Sequence, residues 1–173
     1  MILPNPPTAG SIGARIAWAE ARFREQGERL RADREVTGWL ERLGAAARRS
    51  HEAMARAGVV AECARCEREE GGSCCGAGLE DRYDGVTLLI NLLLGTELPH
   101  ERDDPRSCFF LGPDGCSLVA RDVICVNYLC RKIADNLDRS EVEVMCDREG
   151  EEIESLFRLH ARITTLLRKT GNA

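Results

Sequence analysis

The chain has 173 residues, of which 43% are hydrophobic and 31% are charged, and its formal net charge is -5 at pH 7. This length fits one compact domain, and the acidic balance argues against nucleic acid as a partner. The longest apolar stretch, residues 86–94, is too short to cross a bilayer, and the N-terminus has no signal-peptide pattern. We therefore expect a cytoplasmic protein with neither nucleic-acid nor membrane partners.

The N-terminal third is expected to form a helical arm. Residues 1–10 are proline-rich and predict a mobile lead-in, and a helical pattern follows over residues 11–58, with Ser11 as N-cap and Gly58 at the end. The apolar spacing changes phase near residues 32–34, which predicts either two helices or one helix with a stutter. The arm's apolar stripe either packs on the rest of the domain, which we favour, or binds a protein partner or a second copy of the chain.

The middle of the chain predicts short elements. Residues 86–94 indicate a short buried helix that Asp84 caps and Gly95 closes, with a buried strand as the alternative. Residues 108–116 predict a β-hairpin, because apolar residues flank a Gly-Pro-Asp-Gly turn.

The sequence of the last third of the chain predicts a helix, a short strand and a second helix. Residues 125–137 keep helical spacing, but Cys125 and Cys130 would lie about 140° apart on a continuous helix, so the helix should begin between or after them. Residues 142–146 alternate and predict a short strand. The apolar face of the last helix includes His160, which we expect to be a core residue with a hydrogen-bond partner rather than a ligand.

Together these elements predict a mainly α fold with a small β-hairpin, in which a cysteine-rich metal-binding region packs between helices. The expected divisions are the lead-in, the arm, a cysteine-cluster domain over residues 59–147 and a C-terminal packing helix over residues 148–173.

Eight of the nine cysteines lie in one block of the chain. They are Cys63, Cys66, Cys74, Cys75, Cys108, Cys116, Cys125 and Cys130. Structural disulfides are rare in a reducing compartment, so a cysteine block there indicates metal or redox chemistry. Converging thiolates select zinc or an iron–sulfur cluster. A cysteine bound to metal is not free to act as a nucleophile, and we identify no catalytic residues.

The spacing leaves the number of sites open. Cys63 and Cys66 have the spacing at which a turn directs two sulfurs to one centre. Cys74 and Cys75 are adjacent, so they share one centre only in a bent loop, or else serve two. Eight cysteines therefore allow two four-sulfur sites or one site with spare thiols. Cys146 is then a spare thiol, a substitute ligand or, as we favour, a core residue.

The order of these residues resembles a known family. The chain contains, in order, a Cys-x2-Cys motif, a Cys-Cys pair, Cys108-Phe-Phe-Leu, Asp114-Gly-Cys116-Ser, Arg121, Cys125 and Cys130. This pattern, over residues 63–130, resembles the YkgJ-type cysteine-cluster family of zinc- or iron-chelating domains. The resemblance implies that all eight cysteines are metal or iron–sulfur ligands. The chain departs from the family in a longer gap after Cys66 and in Arg121-Asp122, where Arg-Pro is usual.

The sequence slightly favours an iron–sulfur cluster over zinc, because only one Cys-x2-Cys motif is present and glycines lie near the cysteines. It predicts a metal-binding protein in redox or metal handling, either non-enzymatic or an accessory redox protein. The alternative is a structural-zinc module whose helical arm binds a partner or dimerises.

Overall fold

The computed structural model describes residues 10–171, so the predicted lead-in lies almost wholly outside the described residues. The helices of this part are α1 (Ile12–Ala32), α2 (Arg34–Arg56), α3 (Val59–Glu69), α4 (Gly85–Leu93), α5 (Val123–Asn127), α6 (Arg131–Ala134) and α7 (Arg139–Gly171). The strands β1 (Leu111–Gly112) and β2 (Gly115–Cys116) form one antiparallel hairpin. The predicted mainly α fold with a small hairpin is confirmed. None of the described helices is long and apolar enough to cross a membrane.

The helical arm is two helices that meet at Asp33. The Asp33 carboxylate accepts hydrogen bonds from the backbone N–H groups of Glu35 and Val36, so it caps the start of α2. Arg162 of α7 donates to the same carboxylate at 2.6 Å. These bonds end α1 and fix α2 against α7, which explains the change of phase in the apolar pattern.

The apolar stripe of the arm is buried within the chain. α1 packs on α4, and α2 packs along α7. The buried residues of the stripe are Ile16, Ala19, Leu30, Val36, Leu40, Leu43, Ala47 and Met54. The interpretation that the stripe packs on the rest of the domain is confirmed.

The helix α4 is the centre of the main core. Val86, Leu88, Leu89 and Ile90 have no exposed surface. The Asp84 carboxylate caps α4 by accepting from the Thr87 N–H at 2.8 Å, so the helix prediction is confirmed and the strand alternative is wrong. His160 of α7 lies 2.8 Å from the same carboxylate, which gives this histidine the partner expected for it.

One prediction in the last third of the chain is wrong, and another is confirmed in part. Residues 142–146 are not a strand but part of α7, where Met145 is buried and Val144 is 49% exposed. In the helix Val144 lies on the side opposite Val142, and the buried positions are Met145 and Glu149, four residues apart. The Arg- and Glu-rich sequence around them favours helix. A helix begins directly after Cys130, as expected, because Cys130 is the extended N-cap of α6. It ends at Ala134 rather than near residue 137, and Cys125 lies in the separate short helix α5, which the extended Tyr128 ends.

Candidate metal centre

The first two cysteines lie on a helix rather than in a turn. Gly58 has a φ of 80°, which reverses the chain between α2 and α3. Cys63 and Cys66 then fall in the middle of α3, three residues apart. Side chains at this spacing share one helix face, so both thiols can still serve one centre.

Cys63 and Cys66 belong to a group of four that we call the outer set. Its members are Cys63, Cys66, Cys74 and Cys130. Burial raises the pKa of the Cys63 thiol, and the charges of the other three members raise it further. The pKa of Cys74 is raised by burial and then by the charges of Cys130 and Cys66. Cys130 packs against a small apolar cluster that contains Val59 and Met145.

The other four cysteines of the block form a second group, the inner set. Its members are Cys75, Cys108, Cys116 and Cys125. Burial raises the pKa of Cys75 to about 11, and the charges of Cys125 and Cys116 add to the increase. Cys108 is 6% exposed, and Cys75 and Cys125 pack against the main core. Cys116 is exposed as a residue, yet burial of its thiol raises the pKa to about 11.

The adjacent pair Cys74 and Cys75 divides between the two sets. The Cys75 carbonyl accepts from the Cys108 N–H at 2.6 Å, and Gly76 forms an isolated antiparallel bridge with Ser107. These bonds hold Cys75 beside Cys108, whereas the charge of Cys130 raises the pKa of Cys74. The electrostatic effects between thiols therefore fall mainly within the two sets, with one link between them, because the charge of Cys63 also raises the pKa of Cys75.

The thiols of each set lie apart in this structure. Within residues 10–171, no three or more His, Cys, Asp or Glu side chains form a group that could hold a metal ion in their present positions. All nine cysteines are free thiols. Burial raises the pKa of Cys63, Cys74, Cys75, Cys108, Cys116 and Cys125, which favours the protonated thiol at these positions.

Two carboxylates hold the loops that carry the inner set. Glu80, 5% exposed, pairs with Arg102 and accepts from the Gly78 N–H at 2.9 Å. Glu67 of α3 accepts from the Ser107 hydroxyl and from the Ser73 N–H, both at 2.6 Å. The segments before Cys75 and before Cys108 are therefore tied together by side chains.

Three further residues lie near the thiols, and of these only Arg121 belongs to the sequence pattern of the cysteine block. The Tyr83 hydroxyl donates to the Cys125 sulfur at 3.5 Å, and Tyr83 is 2% exposed. The charge of Arg121 lowers the pKa of Cys116 and of Cys125, against the larger effect of burial. Lys132 of α6 lies 3.9 Å from the Cys66 sulfur. Each set thus has a cation beside it, which offsets part of the negative charge that ionised thiols would carry.

The carboxyl of Glu149 is buried next to Arg121 but has an unpaired oxygen. Glu149 is 4% exposed, and its Oε1 atom has no hydrogen-bond partner. Burial raises the pKa of Glu149 above its usual 4.5, and the charge of Glu152 raises it further, while Arg121 lowers it. The folded state therefore retains the Glu149 proton to a higher pH than the unfolded state does.

This difference in pKa predicts a pH-dependent effect of Glu149→Gln. Below pH 4.5 the carboxyl is neutral in both states, so Glu149 carries no charge penalty there. As pH rises through the raised pKa, the fold loses stability. We expect Glu149→Gln to stabilise the protein at pH 8 by on the order of 1 kcal/mol and to have less effect at pH 4. Urea unfolding at both pH values checks this, and an equal effect at both would contradict it.

The ninth cysteine lies outside both sets. Cys146 is exposed on α7, so the favoured interpretation as a core residue is wrong. The neighbouring Met145 takes the buried position instead. Of the other candidate ligands, His51 is exposed, and His100 lies 3.2 Å from Glu20.

Comparison with known proteins identifies no relative of this chain. No protein-family model, curated protein or solved structure matches this chain. The resemblance to the YkgJ-type family therefore stays a hypothesis that depends on the order of the cysteines.

Proposed function

We propose that this protein binds metal through both cysteine sets, as iron–sulfur clusters or zinc, and acts in redox or metal handling in the cytoplasm. The observation that carries the proposal is the concentration of eight cysteines over residues 63–130, where folding brings Cys75 next to Cys108 through a backbone hydrogen bond of 2.6 Å. The resemblance to the YkgJ-type family supports the same ligands.

The donor atoms fit this chemistry. Sulfur-only sets of four prefer zinc or iron–sulfur clusters to harder cations. Six of the eight cysteines have a raised pKa, so they hold their protons at pH 7 until a metal displaces them. Loading would draw four sulfurs to about 2.3 Å from a zinc ion. Four thiolates and one divalent ion leave two negative charges, which Arg121 beside the inner set and Lys132 beside the outer set partly offset.

The alternative is a structural-zinc module that binds a partner through the apolar stripe of the arm. The stripe that suggested it is buried in this chain. Such a module would need a different surface, so we keep metal handling or redox chemistry as the proposal.

Elemental analysis tests the proposal. Protein purified without oxygen should contain two metal ions or two clusters per chain. Iron with acid-labile sulfide and a visible absorption band would identify clusters, whereas zinc without colour would identify two zinc sites.

Variants show whether the named cysteines are the ligands. Cys75→Ser with Cys125→Ser should remove one of the two equivalents, and Cys146→Ser, as the matched control, should remove none. Protein without metal, or a double variant with unchanged metal content, would contradict the proposal.

A further inference from the structure

Cys75 and Cys108 stand opposite each other where two distant segments of the chain pair. Gly76 forms an isolated antiparallel bridge with Ser107, so the residue before Gly76 faces the residue after Ser107. The Cys108 N–H donates to the Cys75 carbonyl at 2.6 Å, which is the bond that this register requires. The backbone therefore places these two cysteines as a cross-strand pair.

This register suits a disulfide bond. Opposed residues of an antiparallel pair direct their side chains to the same face, and where a backbone hydrogen bond joins them their Cα atoms lie about 5.5 Å apart, within the roughly 4.4–6.8 Å that a disulfide spans. Their Cβ atoms start about 4.5–5.5 Å apart and must approach to roughly 3.5–4.5 Å. Neither Cys75 nor Cys108 lies in a helix or a strand, so the chain can make this small adjustment. Both are free thiols, and Cys75 packs against the apolar cluster that contains Cys108.

Side chains hold the two segments together without help from the sulfurs. The Glu67 carboxylate accepts from the Ser73 N–H and from the Ser107 hydroxyl, both at 2.6 Å. The Ser73 hydroxyl in turn accepts from the Cys75 N–H at 3.2 Å. Because no thiol takes part in these bonds, the pairing is in place before any oxidation.

Two other arrangements of cysteines in the described residues are less suited. Cys63 and Cys66 lie inside α3, where Cβ atoms three residues apart are about 5–6 Å from each other and the helix on both sides resists their approach. Cys116 stands opposite Leu111 in the hairpin and has no cysteine across from it. Backbone geometry therefore favours the pair of Cys75 with Cys108.

We propose that Cys75 and Cys108 form a reversible disulfide, which makes this pair a site of oxidation by small-molecule disulfides. Cys75, the more exposed of the two, attacks the oxidant as a thiolate; the S–S bond of the oxidant breaks, and its leaving thiolate takes up the proton that Cys75 lost. Cys108 then loses its proton, attacks the Cys75 sulfur and releases the second thiol. The two protein thiols lose two electrons, which reduce one disulfide to two thiols.

The inference goes beyond the proposed function, because it depends on the backbone register and not on metal. In a reducing compartment such a bond is transient and acts in redox sensing. Since both sulfurs are also candidate ligands, the disulfide and a bound metal exclude each other at these two residues.

Oxidation of the full chain tests the proposal. Protein purified without oxygen is equilibrated with mixtures of reduced and oxidised glutathione, with and without EDTA, and the remaining thiols are blocked with iodoacetamide. Digestion with trypsin and chymotrypsin separates Cys108 from Cys116, because Phe109 and Phe110 lie between them. At half-oxidation we expect the peptides of Cys75 and Cys108 to be linked on the order of tenfold more often than any other pair, since the backbone holds these two thiols in position.

Variants identify the pair, because one tryptic peptide carries both Cys74 and Cys75. Cys75→Ser and Cys108→Ser should each abolish the linked peptide. Cys74→Ser is the matched control and should keep it.

A further variant tests the contacts that hold the pairing. Glu67→Ala should lower the ratio of linked to unlinked peptide about fivefold at a fixed glutathione ratio, the equivalent of two lost hydrogen bonds. Glu69→Ala, at an exposed position of the same helix, should leave the ratio unchanged.

The outcomes separate this inference from the proposed function. A dominant link between other cysteines would overturn the inference, as would the absence of a link between Cys75 and Cys108 both with and without EDTA. A link that forms only with EDTA would support both the inference and metal binding at these thiols. Absence of the link in protein that contains metal would leave the proposed function in place, whereas the link in protein that takes up no metal would support the inference and overturn the proposed function.

Discussion

Arg121→Met should lower the free energy of unfolding by about 3–5 kcal/mol, the usual cost of leaving one charge of a buried pair without its partner. Arg121 donates to both carboxylate oxygens of Glu152, at 3.1 to 3.3 Å. The exposed fractions of the two side chains are 11% and 1%. Without the guanidinium, Glu152 would be buried beside Glu149 with no cation to offset either carboxylate.

Urea unfolding of the metal-loaded protein measures this change, and an unchanged slope with denaturant would confirm that the native compactness is kept. Adding Glu152→Leu to Arg121→Met should recover much of the lost stability, because it removes the unpaired charge. The matched control is Arg139→Ala, since Arg139 pairs with Glu143 at the start of α7 and both side chains are largely exposed. It should cost about 0.5 kcal/mol or less. A cost for Arg121→Met as small as the control's would show that Glu152 reaches water when Arg121 is removed.

The sequence predicted the parts of the fold that are governed by local patterns. The helices α1, α2 and α4 bury the residues that helical spacing selects, and Asp84 caps α4 as expected. The hairpin follows from its turn residues. The pattern misled at residues 142–146, where a strand-like alternation lies on the first turns of α7, most of whose side chains are exposed. A helix that is buried on only one side gives a weak hydrophobic periodicity in a window of five residues.

The sequence selected eight cysteines as candidate ligands, which stays a prediction, but it did not predict which of them lie near one another. Which cysteine joins which set depends on contacts between distant segments, such as the pair of Glu70 with Lys132, 62 residues apart. The spacing of the cysteines along the sequence does not predict such contacts. Tyr83 and Glu149 were missed for a related reason, because a single tyrosine or a glutamate in an acidic stretch looks like an ordinary core or surface residue. Only the packing shows that Tyr83 contacts Cys125 and that Glu149 is buried.

Asn91→Leu should be the second strongly destabilising change, with an expected loss of about 3 kcal/mol, because it leaves buried backbone groups without partners. Asn91 of α4 has no exposed surface. Its Nδ2 donates to the carbonyls of Thr87 and Ala120, at 3.0 and 2.9 Å. Its Oδ1 accepts from the N–H groups of Val119 and Ala120, both at 2.9 Å. Leucine has a similar volume but can replace none of these bonds.

The segment that Asn91 binds connects Cys116 of the hairpin to Cys125 of α5, so its loss should also loosen the inner set. We expect Asn91→Leu to lower the metal content of the purified protein by about one equivalent, as measured by elemental analysis. The matched control is Asn136→Ala, because the exposed Asn136 makes one bond to the carbonyl of Lys132. It should cost about 0.5 kcal/mol or less and leave the metal content unchanged. If Asn91→Leu destabilises the fold without lowering the metal content, the inner set is held by the packing of its own cysteines on the core and not by this segment.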